Sequence, residues 1–125
     1  MSALEEIAAA AVDSGFHIHK DLGPGLLESV YEAVLAEALR QRGFVVAQQQ
    51  SVPIRFREMS FPDAFRADLI VENSLIIEVK SVERNAPVHA KRLMKQPLGL
   101  LMNFGCETFR DGVKRVVNGH NAFAP

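Results

Sequence analysis

The chain has 125 residues, 48% of them hydrophobic and 23% charged, with a net charge of −1. That length suits one domain over residues 1–125 with a real core, and near-neutrality removes any global basic field for nucleic acid, leaving only a local patch for such a partner. One cysteine, Cys106, excludes an intramolecular disulfide and a thiolate zinc cluster, and the absence of a signal-like start or membrane-spanning apolar run reads as a cytoplasmic chain with no membrane partner.

Ser2-Ala3-Leu4-Glu5 has capping-box spacing, so a helix is expected to begin at once. Leu4, Ile7, Ala8, Ala11, Gly15, Ile18 and Leu22 recur at helical spacing and form its apolar stripe. His17 and His19, two residues apart, point to different sides of it and make a poor metal pair. Gly23-Pro24-Gly25 breaks this helix, and a second is expected over 26–42, closed by Gly43. Its expected apolar face is Leu27, Val30, Tyr31, Val34, Leu35, Ala38 and Leu39. Glu28 falls at the margin of that face in the first turn, where the helix dipole favours a carboxylate. Glu32 is expected further round, toward solvent.

Residues 45–56 read as an extended segment with Pro53 marking an edge or bulge. Gln48-Gln49-Gln50 within it reads as an exposed polar run, and 58–64 as a loop containing Pro62. Two apolar runs, Phe65 to Val71 and Leu75 to Ser81, flank Glu72-Asn73-Ser74 and predict a β-hairpin with a three-residue connection. Pro87 to Lys95 reads as a short basic helix stopped by Pro97. Leu98 to Phe104 reads as a strand, Asp111-Gly112 as a turn, Val113 to Val117 as a last strand and Asn118-Gly119 as another turn. The order implies an α/β or α+β fold, with helices packed on a central mixed sheet.

Asp68, Glu78 and Lys80 lie inside the greasy hairpin. Side chains alternate along a strand, so Glu78 and Lys80 share a face, and Asp68 joins them in the simplest register. A structural ion pair at the sheet edge is one reading. The apolar flanks suggest strands covered on both faces, where a charge is costly unless it is paired or holds a metal. On that second reading the three are site candidates.

Several stretches together resemble the GxxExxxR family of the PD-(D/E)XK nuclease superfamily. They are Leu22-Gly23-Pro24-Gly25-Leu26-Leu27-Glu28-Ser29-Val30-Tyr31-Glu32, Arg66-Ala67-Asp68-Leu69-Ile70-Val71, Ile77-Glu78-Val79-Lys80, Pro87-Val88-His89 and Gly99-Leu100-Leu101-Met102-Asn103-Phe104. The resemblance implies a restriction-endonuclease-like α-β-β-β-α-β core, a mixed sheet flanked by helices. It also implies nuclease activity dependent on Mg²⁺ or Mn²⁺, with Glu28, Asp68 and Glu78 as metal ligands helped by the Val79 carbonyl. Asp68, Glu78 and Lys80 would be catalytic, and nucleic acid the partner, contacted by Arg66, Lys91 and Arg92. Homo-oligomerisation is compatible with this reading. The chain departs from the family at Glu32, where the motif asks for Arg, and at Arg92, where relatives carry Gln. Pro97 also arrives early and shortens the second helix of the core. A catalytically inactive relative, serving as a nucleic-acid-binding or protein-interaction module with Lys114 and Arg115 as added phosphate contacts, is the alternative.

Overall fold

A computed structural model describes residues 3–83 and 98–117. Helix α1 runs Ala3–Leu22 and α2 Glu28–Gln41; strands β1 (Val46–Phe56), β2 (Met59–Val71) and β3 (Leu75–Lys80) follow. Strand β4 (Leu98–Asn103), the four-residue helix α3 (Phe109–Gly112) and β5 (Val113–Val117) complete the order. The five strands form one mixed sheet in the order β1-β2-β3-β4-β5, antiparallel except for the parallel pair β3/β4. This is the mixed sheet with flanking helices expected of a restriction-endonuclease-like core. The basic helix expected over 87–95, with Lys91 and Arg92, and the turn at Asn118-Gly119 lie outside the described residues.

The two faces of the sheet are covered unequally. Leu69, Val71, Leu75, Ile77, Val79, Leu98, Leu100 and Met102 pack under α1 and α2 with Tyr31, Leu35, Leu39 and Phe104. The opposite face carries a smaller cluster of Val52, Ala67, Ile70, Ile76 and Leu101. Burial on both faces is why β3 and β4 are nearly continuous apolar runs. Helix α1 buries its expected stripe from Ile7 to Ile18, with Ser14 and His19 beside it, while Leu22 at its end is exposed; Gly15 is tied to its place because a Cβ there would run into the Phe109 ring of α3.

Three expectations change. Helix α2 buries Tyr31, Leu35, Ala36 and Leu39, whereas Leu27, Val30 and Val34 are exposed. Its apolar arc is wider than the contact available, and only the side over the sheet is used. The expected loop over 58–64 is instead strand: β2 begins at Met59 and pairs with β1 out to Phe56, the register shifting at Pro53 opposite Pro62 and its neighbours. Proline does not end this strand because an outlying ribbon tolerates a missing N–H. Asp111-Gly112 lies in α3, whose start is capped by the Thr108 hydroxyl accepting from the Asp111 N–H.

The β2/β3 turn is as expected, with Glu72 and Asn73 both at positive φ (51° and 53°) and the Ser74 N–H donating to the Val71 carbonyl. Glutamate is an unusual residue there. Its side chain compensates by accepting from the Val45 N–H at 2.9 Å, and its own N–H donates to the Val45 carbonyl.

Candidate active site

The hairpin brings Asp68 beside Glu78, Val79 and Lys80. Ladder pairing between β2 and β3 covers Leu69, Ile70 and Val71 and stops before Asp68. At that level the side chain takes over from the backbone: Asp68 Oδ2 accepts the Val79 N–H at 2.8 Å. The bond is charge-assisted and holds a half-buried carboxylate at the point where the two strands part.

The alternation of faces also breaks at this level. Ala67 and Ile70, three apart on β2, share the smaller cluster, and so do Ala47 and Val52, five apart, across β1. Strict period-two alternation forbids both, so each strand reverses its faces in between. Gln49, at φ 52°, is the β1 residue in the left-handed region there.

Glu78 is 3% exposed and shares a face with Ile76 by alternation, beside Leu101 in the β3/β4 register. Lys80 is half-buried at the end of β3, where its carbonyl accepts the Phe104 N–H at 2.8 Å. Glu28 opens α2 and is exposed. The loop that delivers it is firmly tied. Tyr31, fully buried and stacked on Phe104, donates its hydroxyl hydrogen to the Gly23 carbonyl at 2.5 Å and accepts the Leu26 N–H at 3.1 Å. Ser81 Oγ donates to the Leu26 carbonyl at 2.5 Å, which pins the start of α2 to the end of β3 directly after Lys80.

A buried network backs this end of the sheet. Asn103 Oδ1 accepts the Val82 and Gly105 N–H groups, each at 3.0 Å, and its amide donates to Cys106 Sγ at 3.3 Å. His19 is buried with Nε2 2.8 Å from the Cys106 carbonyl, while His17 is exposed and pairs with Asp13. The two histidines therefore have packing and surface roles. The Arg42 guanidinium, hydrogen-bonded to Asp13, holds that carboxyl below its ordinary value, with the nearby His17 adding to the effect.

Glu32 differs from its expected place. It is half-buried, and both its oxygens accept hydrogen bonds: Oε1 from Gln49 Nε2 at 2.6 Å and Oε2 from Gln48 Nε2 at 3.1 Å. Gln49 Nε2 also donates to Asp68 Oδ1 at 3.1 Å. The polar run that reads as mere exposed strand thus links α2 to Asp68. The signal in the sequence was Glu32 itself, one turn beyond Glu28 and 40° round from it toward β1.

Oxygen-only donors of this kind suit a hard divalent cation in type. Among the described residues, however, no three His, Cys, Asp or Glu side chains group closely enough to hold one. Asp68 and Glu78 occupy neighbouring strands at one level, while Glu28 stands at the helix end. Of the expected nucleic-acid contacts, Arg66 is exposed on β2, and Lys91 and Arg92 lie outside the described residues. Arg115 is exposed and ion-paired with Glu5 of α1, and Lys114 beside it on β5 is exposed as well. An apolar groove of about 820 Å³ runs between α1, α3 and β5; Arg115 lines it, and Glu28, Asp68, Glu78 and Lys80 do not. Among the described residues no helix is long and apolar enough to cross a membrane.

No curated protein and no solved structure is significantly similar to the chain. A family model of the PD-(D/E)XK nuclease superfamily matches residues 5–116, from the first turn of α1 into β5, and so takes in the Asp68…Glu78-Val79-Lys80 constellation. With that match lying over a mixed sheet that parts at Asp68, the chain belongs to the PD-(D/E)XK nuclease superfamily.

Proposed function

We propose that this chain is a nuclease of the GxxExxxR type, hydrolysing phosphodiester bonds of DNA or RNA with Mg²⁺ or Mn²⁺. The observation that carries the reading is the 2.8 Å hydrogen bond from the Val79 N–H to Asp68 Oδ2. It fixes one carboxylate against the Glu78-Val79-Lys80 segment, where the charges have a use that an edge ion pair would not explain. Asp68 and Glu78 hold the cation on this reading, with Glu28 approaching from the first turn of α2. The bound ion supplies charge that polarises a phosphate oxygen and acidifies water. Glu78, buried beside Leu101, would supply the second carboxylate from the thin side of the sheet. Lys80, anchored by its carbonyl on the Phe104 N–H, would position the attacking water or stabilise the charge that builds up on the phosphoryl oxygens. Arg66, Lys91 and Arg92 contact the nucleic-acid backbone.

Mn²⁺ titration calorimetry on the wild type and Asp68→Asn tests the metal site without a guess at substrate. One ion per chain is expected for the wild type, with affinity at least about tenfold weaker in the variant. Lys80→Ala is then expected to keep the metal and lose about a hundredfold in cleavage. Failure of the wild type to bind at millimolar metal overturns the reading.

A second reading is favoured by the dispersed carboxylates: a chain that keeps the fold and binds nucleic acid or a protein without cleaving. Salt-sensitive nucleic-acid binding that survives Lys80→Ala, with no cleavage by the wild type, selects its nucleic-acid form.

A further inference from the structure

We propose that Gln49 is a positioning residue, whose side-chain amide fixes the Asp68 carboxylate by tying it to Glu32 on α2. The inference rests on the nuclease reading for its purpose, and on the geometry alone for its existence. One nitrogen, Gln49 Nε2, donates to Glu32 Oε1 at 2.6 Å and to Asp68 Oδ1 at 3.1 Å. The two carboxylates therefore stand within about 6 Å of each other, separated by a neutral donor that relieves their repulsion.

Three further features single out this residue. Gln49 sits inside a strand with φ 52°, a conformation that non-glycine side chains adopt at an energetic cost. Such a conformation persists where the surroundings over-determine it. Its partner Glu32 is itself immobilised: Gln48 Nε2 holds the other oxygen at 3.1 Å, and Arg40 Nη1 donates to Gln48 Oε1 at 3.2 Å. The Arg40 guanidinium is anchored in turn on the Val46 carbonyl at 2.9 Å. Finally, the Val79 N–H already occupies Asp68 Oδ2, so the Gln49 bond on Oδ1 fixes the rotation of the carboxylate plane. With one bond the group swivels; with two it is aimed.

Gln49→Gly separates this role from a structural one. Glycine accepts positive φ without penalty, so the variant relieves backbone strain while removing the amide. In metal-free buffer, hydrogen exchange of the Val79 N–H, the group bonded to Asp68, is measured by NMR in four proteins: wild type, Gln49→Gly, Glu32→Gln and the double variant. Exchange about tenfold faster is expected in Gln49→Gly and in Glu32→Gln, with no further gain in the double variant, because the two residues act through one link. The melting temperature of Gln49→Gly is expected to stay within about 3 °C of the wild type, because relief of the positive φ offsets the lost hydrogen bonds and the freer unfolded chain. Unchanged Val79 exchange in Gln49→Gly, or effects that add fully in the double variant, overturns the proposal. Mn²⁺ affinity is then compared: about a tenfold loss in Gln49→Gly is expected, and an unchanged affinity overturns the role in the site. If the wild type binds no metal, the nuclease reading fails by itself, and Val79 exchange still decides whether the clamp exists.

Discussion

Tyr31 shows how much one side chain can settle. Its ring lies in the main core against Phe104, and its hydroxyl serves the loop that turns α1 into α2. Tyr31→Phe keeps the packing and removes both hydrogen bonds, leaving the Leu26 N–H and the Gly23 carbonyl to find water. A loss of about 1–2 kcal/mol in urea unfolding is expected, with the slope of the transition unchanged. A loss below a few tenths would mean that water replaces the hydroxyl at no cost. Asp13 gives a prediction of opposite character. Its carboxyl is held low chiefly by the Arg42 hydrogen bond, so the pair contributes above the unfolded carboxylate range, and the contribution fades as pH falls through the folded value. NMR titration of Arg42→Ala should show Asp13 raised toward its ordinary range, with little change in stability because the pair is exposed. Residue-scale legibility in the sequence was uneven for a physical reason. Asp68, Glu78 and Lys80 betray themselves as charges in apolar runs, whereas Gln49 stands in a polar run and Glu32 is one of several acidic residues along a helix, and both acquire their roles only through the pairing of β1 with β2 and the packing of α2 above them.

The β1–β2 ribbon behaves differently from the elements around it. Beyond Val52 and Phe65 it leaves the body of the sheet, and residues 53–64 are all exposed. Ile54 faces Phe61 and Phe56 faces Met59 across the two strands, so one face of the outer ribbon is apolar and open to solvent. A two-stranded ribbon of this kind adds little to global stability. Replacing residues 54–61 by Asn-Gly is therefore expected to shift the melting temperature by no more than about 3 °C, while Val52 and Phe65 remain to close the smaller cluster. Unfolding of the shortened chain would show that the ribbon is part of the cooperative unit. The same ribbon explains the chief misreading at this scale. Pro62 with Asp63 and Ala64 argues for loop by local preference, yet pairing with β1 overrides it. The central hairpin and β4 were legible because both faces are buried, so composition alone marks them. Helix α2 was legible as a helix but not in orientation. Apolar side chains cover more of its circumference than the sheet does, and only the tertiary contact chooses Tyr31, Leu35 and Leu39 over Leu27, Val30 and Val34.

At the scale of the molecule, the sheet divides stability from chemistry. Its thick side, under α1 and α2, carries most of the buried apolar side chains; its thin side holds the small cluster and, by alternation, Glu78 and Lys80. Leu100 and Leu101, adjacent on β4 and both fully buried, test this division because they point to opposite faces. Either change to Ala removes the same atoms, at a cost of about 2–5 kcal/mol that grows with the cavity left behind. Leu100 belongs to the larger cluster between the sheet and the helices, which cannot collapse readily, so Leu100→Ala belongs at the upper end of that range. The thinner layer around Leu101 relaxes more easily, so Leu101→Ala belongs at the lower end. The order reverses for the site. Leu101 is the register partner of Glu78, and shortening it admits water beside that carboxylate. Water screens the carboxylate and weakens its hold on a cation, so Leu101→Ala is expected to lower Mn²⁺ affinity severalfold while Leu100→Ala leaves it unchanged. Urea unfolding and calorimetry on the two variants give both readings from the same preparations. If the two lose affinity in proportion to their loss of stability, the faces are not separate, and the site depends on the whole sheet rather than on the side that carries it.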